Sequence, residues 1–277
     1  MNLDEIIENA LLEDLGDGDH TSLACIPVGS YRKAKLLVKE DGIIAGIEIA
    51  RKVFEKLDPT VVFNQLLKDG DVVKPGDIVF TVEGNPVSIL SSERLALNFL
   101  QRMSGIATKT NNMVKMLEGL NTKLLDTRKT TPNLRYIEKL AVKIGGGENH
   151  RFGLYDMIMI KDNHVDFSGG IKQAISNVKT YLKLKNKDLK IEIEVRNFDE
   201  LNEVLSIGGI QRIMLDNFSV HDLKQAVEMI DGRFETEASG GITETSLRKY
   251  AECGVDYISV GSLTHHIRSL DLSLKAY

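Results

Sequence analysis

Tryptophan is missing from the 277 residues, proline occurs five times and cysteine only twice. Cys25 and Cys253 lie far apart without metal-ligand spacing, so there is neither a disulfide framework nor a zinc site, and such sparse thiols fit a reducing compartment. No apolar run approaches the ~20 residues a spanning helix needs. The acidic opening MNLDEIIENALLEDLG is unlike a signal peptide. The expected location is therefore the cytoplasm, with no membrane partner. Cations are not in excess either: 35 Lys and Arg against 40 Asp and Glu leave a net charge of −5, which argues against nonspecific nucleic-acid binding. Any anion site must be local.

One stretch meets that condition. From Leu125 to His164 seven bases face five acids, giving +2 in a chain of −5. Several of these bases follow strand-like runs or glycines instead of lining solvated helix faces: TRK follows KLLD, HR follows GGGEN, and Lys161 ends MIMI. Strand ends that converge on one mouth with this many cations suit a polyanion, since Arg offers a planar fork to carboxylate or phosphate and Lys a point charge. Ordinary surface salt bridges are the competing reading.

The length allows a barrel-sized domain with a small companion, and 42% hydrophobic with 27% charged residues is usual for a globular chain. Asp4 to Leu12 reads as a short amphipathic helix, followed by an acidic loop, GDGDHTS, with His20 as a turn residue. RKAKLLVKEDGIIAG reads as a hairpin around Asp41-Gly42, and the next segment as a helix with Ile47, Ala50, Val53, Phe54 and Leu57 on one face. Three further strands are broken by Gly70 and the Pro75-Gly76 turn. A long helix is expected to begin at Ser91-Ser92-Glu93. Arg94 would then lie in its first turn, where a cation opposes the helix dipole and suggests an anionic partner. Ser104-Gly105 is read as a break in this helix and as the domain boundary. That makes residues 1–104 an N-terminal α+β sandwich domain and 105–265 an α/β barrel, with the tail from 266 to 277 free to pack on the first.

From Lys123 onward strand, loop and helix repeat. Glu194, Asp216, Ala238 and Val260, all at strand ends, are successively 22 residues apart by subtraction. One βα unit per step argues a parallel sheet wound in one direction, with functional side chains at the carboxyl ends. Taken in order, those ends carry Arg128 and Lys129, then Lys161, Glu194, Asp216, Ser239-Gly240-Gly241 and Val260-Gly261-Ser262. Glycine loops before a helix start suit a terminal phosphate. Glu194 and Asp216 beside a cationic wall suggest Mg²⁺ shared with substrate oxygens, or else direct pairing with neighbouring lysines and arginines. His265 and His266 follow the last loop, and one of the two is expected to face the rim.

ERLALNFLQRMSGIAT, LDTRKTTPNLR, GGGENHRFGLYDMIMIKDNH, IMLDNF, EASGGIT and DYISVGSLTH, in this order and with EDLGDGDHTS ahead of them, resemble the motif set of the quinolinate phosphoribosyltransferases. Asn133 and Ala238 stand where that family leads one to expect Gly and Ser, and His266 where a small residue is commoner. The resemblance implies an open, incomplete α/β barrel preceded by the smaller domain. It also implies a homodimer whose subunits share active sites, with higher assembly left open. Arg128, His150, Arg151 and Lys161, with Arg94 of the neighbouring subunit, would hold the carboxylates of quinolinate, and Thr127 would bind substrate beside them. Lys129, Lys161 and His265 would face the pyrophosphate of phosphoribosyl pyrophosphate. Glu194 and Asp216 would sit by the ribose hydroxyls and Mg²⁺, and Ser239, Gly240, Gly241, Val260, Gly261 and Ser262 would carry the 5-phosphate. Lys129, Lys161, Glu194 and Asp216 would be the catalytic set. The implied activity is phosphoribosyl transfer to quinolinate with loss of CO₂, giving nicotinate mononucleotide. Its rivals are a paralogous phosphoribosyltransferase with another acceptor and a non-catalytic phosphate-binding module.

Overall fold

The computed structural model describes residues 2–277, which form two compact units. The first holds residues up to Asn111, then Lys129–Gly146 and Ser262–Tyr277; the second holds Asn112–Arg128 and Gly147–Gly261. In chain order the first unit begins with α1 (Leu3–Leu15), α2 (His20–Cys25), β1 (Arg32–Val38), β2 (Gly42–Ile43) and α3 (Ile47–Leu57). It continues with β3 (Val62–Gln65), β4 (Val72–Val73), β5 (Ile78–Gly84) and α4 (Pro86–Met116), whose last residues belong to the second unit. After β6 (Lys123–Leu125) in the second unit, α5 (Arg135–Ile144) belongs to the first. The second unit then runs through β7 (Ile158–Ile160), α6 (Asp162–Ser168), α7 (Ile171–Leu184), β8 (Ile191–Val195) and α8 (Phe198–Ile207). It ends with β9 (Arg212–Asp216), α9 (Val220–Ile230), β10 (Glu235–Ser239), α10 (Glu244–Ala251) and β11 (Tyr257–Ser259), and α11 (Ser262–His265) and β12 (Leu272–Ala276) complete the first.

The first unit is built on an antiparallel sheet of order β12-β1-β5-β3. Ala34, Leu36 and Val38 alternate inward along β1, and Phe54 of α3 meets Phe80 of β5 edge to face at 6.2 Å. Each such side chain taken out of water contributes about 1.5–3 kcal/mol. The expected hairpin at Asp41-Gly42 does not form. Both edges of β1 are already taken, by the C-terminal strand β12 and by β5, so β2 pairs with β4 instead. GDGDHTS is not a plain loop either: Asp19 accepts hydrogen bonds from the Ser22 N–H and hydroxyl and so caps α2, which makes His20 its first residue.

The long helix α4 starts earlier than expected and does not break. Pro86 opens it, where the missing N–H costs nothing, and it runs through Ser104-Gly105 without interruption. Those two small residues serve close approach. The Ser104 hydroxyl accepts the Ala45 N–H at 2.9 Å, and a Cβ on Gly105 would lie 2.2 Å from the Arg268 carbonyl oxygen. Arg94 therefore stands about two turns inside the helix, beyond the first turn where the helix dipole would oppose its charge.

The second unit carries a wholly parallel six-stranded sheet, β6-β11-β10-β9-β8-β7. Its terminal strands β6 and β7 are not paired with each other among the described residues, so the sheet stays open. All six expected strands are present, and α7, α8, α9 and α10 supply helices of the expected strand, loop and helix repeat. Only α6, directly after Lys161, was unforeseen. Every residue of β8 is buried, Glu192 and Glu194 included, so these carboxylates need partners inside the protein.

Candidate active site

Parallel strands bring their carboxyl ends to one edge of the sheet. Thr127 and Arg128 follow β6, Lys161 follows β7, Glu194 is next to last in β8, and Asp216 and Ser239 end β9 and β10. Gly240 and Gly241 come directly after β10, and Val260 and Gly261 after β11. Some of the expected residues are in contact with one another. Lys161 Nζ donates to Glu194 Oε2 at 2.6 Å, and the Ser239 hydroxyl donates to Asp216 Oδ1 at 2.5 Å. Asp216 Oδ2 takes the Asn217 side-chain N–H at 2.6 Å. Glu194 is thus paired with a lysine, as the competing reading had it, while Asp216 is fixed by neutral donors. The glycine at 240 is sterically required: its φ is 93° and a Cβ would stand 2.2 Å from Asn217 Oδ1.

His150 and Arg151 owe their placement to residues the sequence reading did not single out. Asp126, fully buried after β6, accepts the His150 N–H at 2.8 Å and the Asn149 side-chain N–H at 2.6 Å. The His150 ring then lies with Nε2 3.0 Å from Glu192 and 3.2 Å from Glu237, and Arg212 Nη1 lies 3.1 Å from Glu237. A histidine and two carboxylates this close are also a possible metal set. Here the Arg151 N–H donates to Nδ1 at 2.7 Å, so the ring proton belongs on Nε2 between the carboxylates, and Arg212 supplies positive charge beside them. Alternation would have signalled the cluster: Glu192 shares a strand face with Glu194, and Glu237 with Ser239.

Arg151, with its guanidinium on the Met157 carbonyl at 3.2 Å, is held below its ordinary pKa first by burial and then by the charge of Arg128. Two neighbouring guanidiniums that disfavour one another are relieved by a bound anion. Of the remaining expected residues, Arg94, Lys129, Ser262 and His265 belong to the first unit. Arg94 is exposed and not ion-paired with any described residue. Burial, then His266, Lys129 and Lys109, hold the His265 pKa down. Asn133, where glycine was expected, has φ 66° in the loop after Lys129, a conformation asparagine tolerates.

An open parallel sheet whose carboxyl edge carries clustered cations, carboxylates and a glycine loop defines an α/β enzyme built for polyanionic substrates. The comparisons with known proteins give the family. Residues 19–104 match the quinolinate phosphoribosyl transferase N-terminal domain and residues 106–275 the C-terminal domain of the same family. The chain belongs to the quinolinate phosphoribosyltransferases. It is 46% identical to the chloroplastic nicotinate-nucleotide pyrophosphorylase (carboxylating) of Arabidopsis thaliana, over 99% of this chain and 82% of that one. It is 45% identical, with the same coverage, to a mitochondrial quinolinate phosphoribosyltransferase (decarboxylating) of Nicotiana tabacum. The crystal structure of NadC from Streptococcus pyogenes superposes with a TM-score of 0.94 at 41% identity, covering 99% of this chain and 95% of that one.

The buried cluster makes stability depend on pH. Burial, followed by the like charge of Glu237, pushes Glu192 from 4.5 up to about 7. For His150 burial pulls downward, but Glu192 and Glu237 more than reverse it and push the ring from 6.5 up to about 9, opposed by the Arg151 N–H, whose bond to Nδ1 forms only with the neutral ring. Glu237 falls below its ordinary value: burial opposes this, but His150, Ser259 and Arg212 outweigh it. Both raised groups bind more protons folded than unfolded, so their contribution is full at low pH and is lost as pH rises through their folded values. The urea unfolding midpoint should therefore fall between about pH 5 and pH 9, and Glu192→Gln should flatten the lower part of that slope. A midpoint that stays level or rises across this range would contradict the assignment.

Proposed function

We propose that the protein transfers the phosphoribosyl group of phosphoribosyl pyrophosphate to the ring nitrogen of quinolinate and releases pyrophosphate, CO₂ and nicotinate mononucleotide. The observation that carries this reading is the cation set Arg128, His150, Arg151 and Lys161 on one unit, two of whose members disfavour each other until an anion arrives. Two adjacent carboxylates on one ring are such an anion. In this assignment Arg128, Arg151 and Lys161 bind the carboxylates with Thr127 beside them, and His150, both of whose ring nitrogens are engaged, supports Arg151 through Nδ1. Lys129, Lys161 and His265 take the pyrophosphate. Glu194 and Asp216 orient the ribose hydroxyls, and Ser239–Gly241 with Val260–Ser262 cradle the 5-phosphate through backbone N–H groups.

No side chain needs to act as a nucleophile. As the bond to pyrophosphate breaks, positive charge develops on the anomeric carbon, the lysines offset the charge on the departing group, and the pyridine nitrogen, held in line, forms the new bond. The pyridinium then draws the electron pair of the breaking carbon–carboxylate bond as CO₂ leaves. The carbanion beside N⁺ is stabilised by the cations already in place and takes a proton. A divalent ion fits the oxygen chemistry present. Glu194 uses one oxygen on Lys161 and keeps the other, which would be free to hold an ion, without a hydrogen bond among the described residues, whereas both Asp216 oxygens are engaged. Mg²⁺ there would neutralise diphosphate charge, most of its ligands coming from substrate.

Apolar side chains such as Val28 and Phe167 stand exposed, and so does Arg94. We read these as surfaces for a second copy of the chain, with Arg94 serving the partner's quinolinate. No helix among the described residues is long and apolar enough to cross a membrane, and the two free thiols favour the cytoplasm, although the plant relatives are named for plastid and mitochondrion.

Incubation with carboxyl-labelled quinolinate and phosphoribosyl pyrophosphate should release labelled CO₂, while nicotinate should be a far poorer acceptor, because a cation left without its carboxylate stays desolvated and unpaired. Equal turnover of nicotinate, or no CO₂, would reject the reading. Arg94 has its own test. Arg94→Ala and Lys161→Ala proteins, each inactive alone, are unfolded together and refolded so that subunits mix. In a two-fold dimer with shared sites half the pairs are mixed and half of their sites intact, so roughly a quarter of the original activity should return. If Arg94 serves its own subunit, every site keeps a lesion and none returns.

A further inference from the structure

Within the first unit, the loop from Lys129 to Leu134 has no strand or helix to shape it, yet it is anchored along its length. The Lys129 carbonyl accepts the Thr264 hydroxyl at 2.8 Å, and Thr130 Oγ1 accepts Arg135 Nε at 2.9 Å. Thr131 is held at two points. Its N–H donates to Glu138 Oε2 at 3.1 Å, and its hydroxyl accepts Arg102 Nη2 at 2.7 Å. Arg102 in turn donates from Nε and Nη2 to Glu138 Oε1 at 2.8 and 2.5 Å, and from Nη2 to the Thr264 carbonyl at 3.4 Å. Three helices thus contribute one residue each: Arg102 from α4, Glu138 from α5 and Thr264 from α11.

Glu138 is fully buried and both its oxygens are engaged, one by a guanidinium and one by a backbone N–H. Stability alone does not call for such a pair, because buried ion pairs are commonly replaceable by apolar side chains without loss. What a charged pair with fixed hydrogen-bond directions adds is geometry. Arg102 touches both the loop that follows Lys129 and the residue that precedes His265, and Thr264 joins the two directly through its hydroxyl.

We propose that Arg102 and Glu138 are positioning residues that fix Lys129 and His265 relative to one another, and thereby set the affinity for the diphosphate of the sugar donor without touching it. The proposal rests on the reading above, in which Lys129 and His265 face pyrophosphate. It assigns a role to a buried pair on two helices outside the strand-end set. His265 feels the charge of Lys129, and it is also close to His266 and to Lys109, which donates to the His266 carbonyl at 2.9 Å. A shift of either loop therefore alters how these groups meet two linked phosphates.

Glu138→Gln separates this role from general loosening. Glutamine has the same size but one acceptor oxygen, so if it keeps Arg102 its amide N–H₂ opposes the Thr131 N–H. Thr264→Val is the companion variant, since it removes the donor to the Lys129 carbonyl and leaves the ion pair in place. The readouts are inhibition by pyrophosphate, inhibition by ribose 5-phosphate, and quinolinate binding without a sugar donor. In both variants pyrophosphate inhibition should weaken by about tenfold, as expected for one lost charged or backbone hydrogen bond, while the other two stay within about twofold. KM for phosphoribosyl pyrophosphate should rise in step with the pyrophosphate constant, with kcat nearly unchanged. If the glutamine variant does not fold, the valine variant carries the same expectation alone. Equal weakening of pyrophosphate and ribose 5-phosphate, or no shift in either, overturns the proposal. Release of CO₂ by the unaltered protein tests the reaction itself separately, so the reading above can stand while this inference falls.

Discussion

A charge withdrawn from water must be paired, and that constraint shapes the chain more than any other. The protein is acidic overall, yet it gathers cations at the carboxyl edge of a parallel sheet and around the loop after Lys129. It sets carboxylates against them, and likewise against Arg212 at the start of β9. Lys161 meets Glu194, His150 meets Glu192 and Glu237, Arg212 meets Glu235 and Glu237, and Arg102 meets Glu138. Removing one member of such a buried pair leaves the other uncompensated, which is more costly than losing the contact itself. The pairing also tunes the site: a cation that is only partly satisfied has the most to gain from an anionic substrate.

The sheet makes this arrangement possible. Parallel strands point their carboxyl ends the same way, so residues far apart in sequence, such as Lys161 and Glu194, meet after one βα step. Alternation along β8 sends Glu192 and Glu194 to the same face, one to the histidine cluster and the other to the lysine. A single short strand thus serves two jobs, supporting a ring deeper in the unit and contacting the rim above it. Asp126 does the same for β6, since its carboxylate fixes the backbone that presents His150 and Arg151.

Where local periodicity and tertiary structure agree, the sequence was readable. The even spacing of Glu194, Asp216, Ala238 and Val260 marked the βα units, and the alternating and helical patterns located nearly every strand and helix of the second unit. Two of the misreadings have one origin, in which a partner distant in sequence decided the local outcome. Asp41-Gly42 carries a hairpin signal, but β12 and β5 had already occupied β1. Ser104-Gly105 carries a helix-break signal, yet the two residues are small because Ala45 and Arg268 approach them. Lys129 was legible as a rim residue from its motif. The Arg102–Glu138 pair behind it was not, because an arginine and a glutamate 36 positions apart on two helices look like ordinary surface charges until the helices are packed.

The central claim is that the cations are held by carboxylates until substrate arrives, and Lys161 with Glu194 is its most exposed instance. The most direct test is calorimetric titration of quinolinate, without a sugar donor, into Glu194→Gln. Freed of its carboxylate, Lys161 should bind quinolinate severalfold more tightly, a gain of no more than about 1 kcal/mol for a lysine that is nearly half exposed, even as turnover falls. Weaker quinolinate binding in this variant would mean that Glu194 supports the site and does not compete with substrate, and would contradict the account.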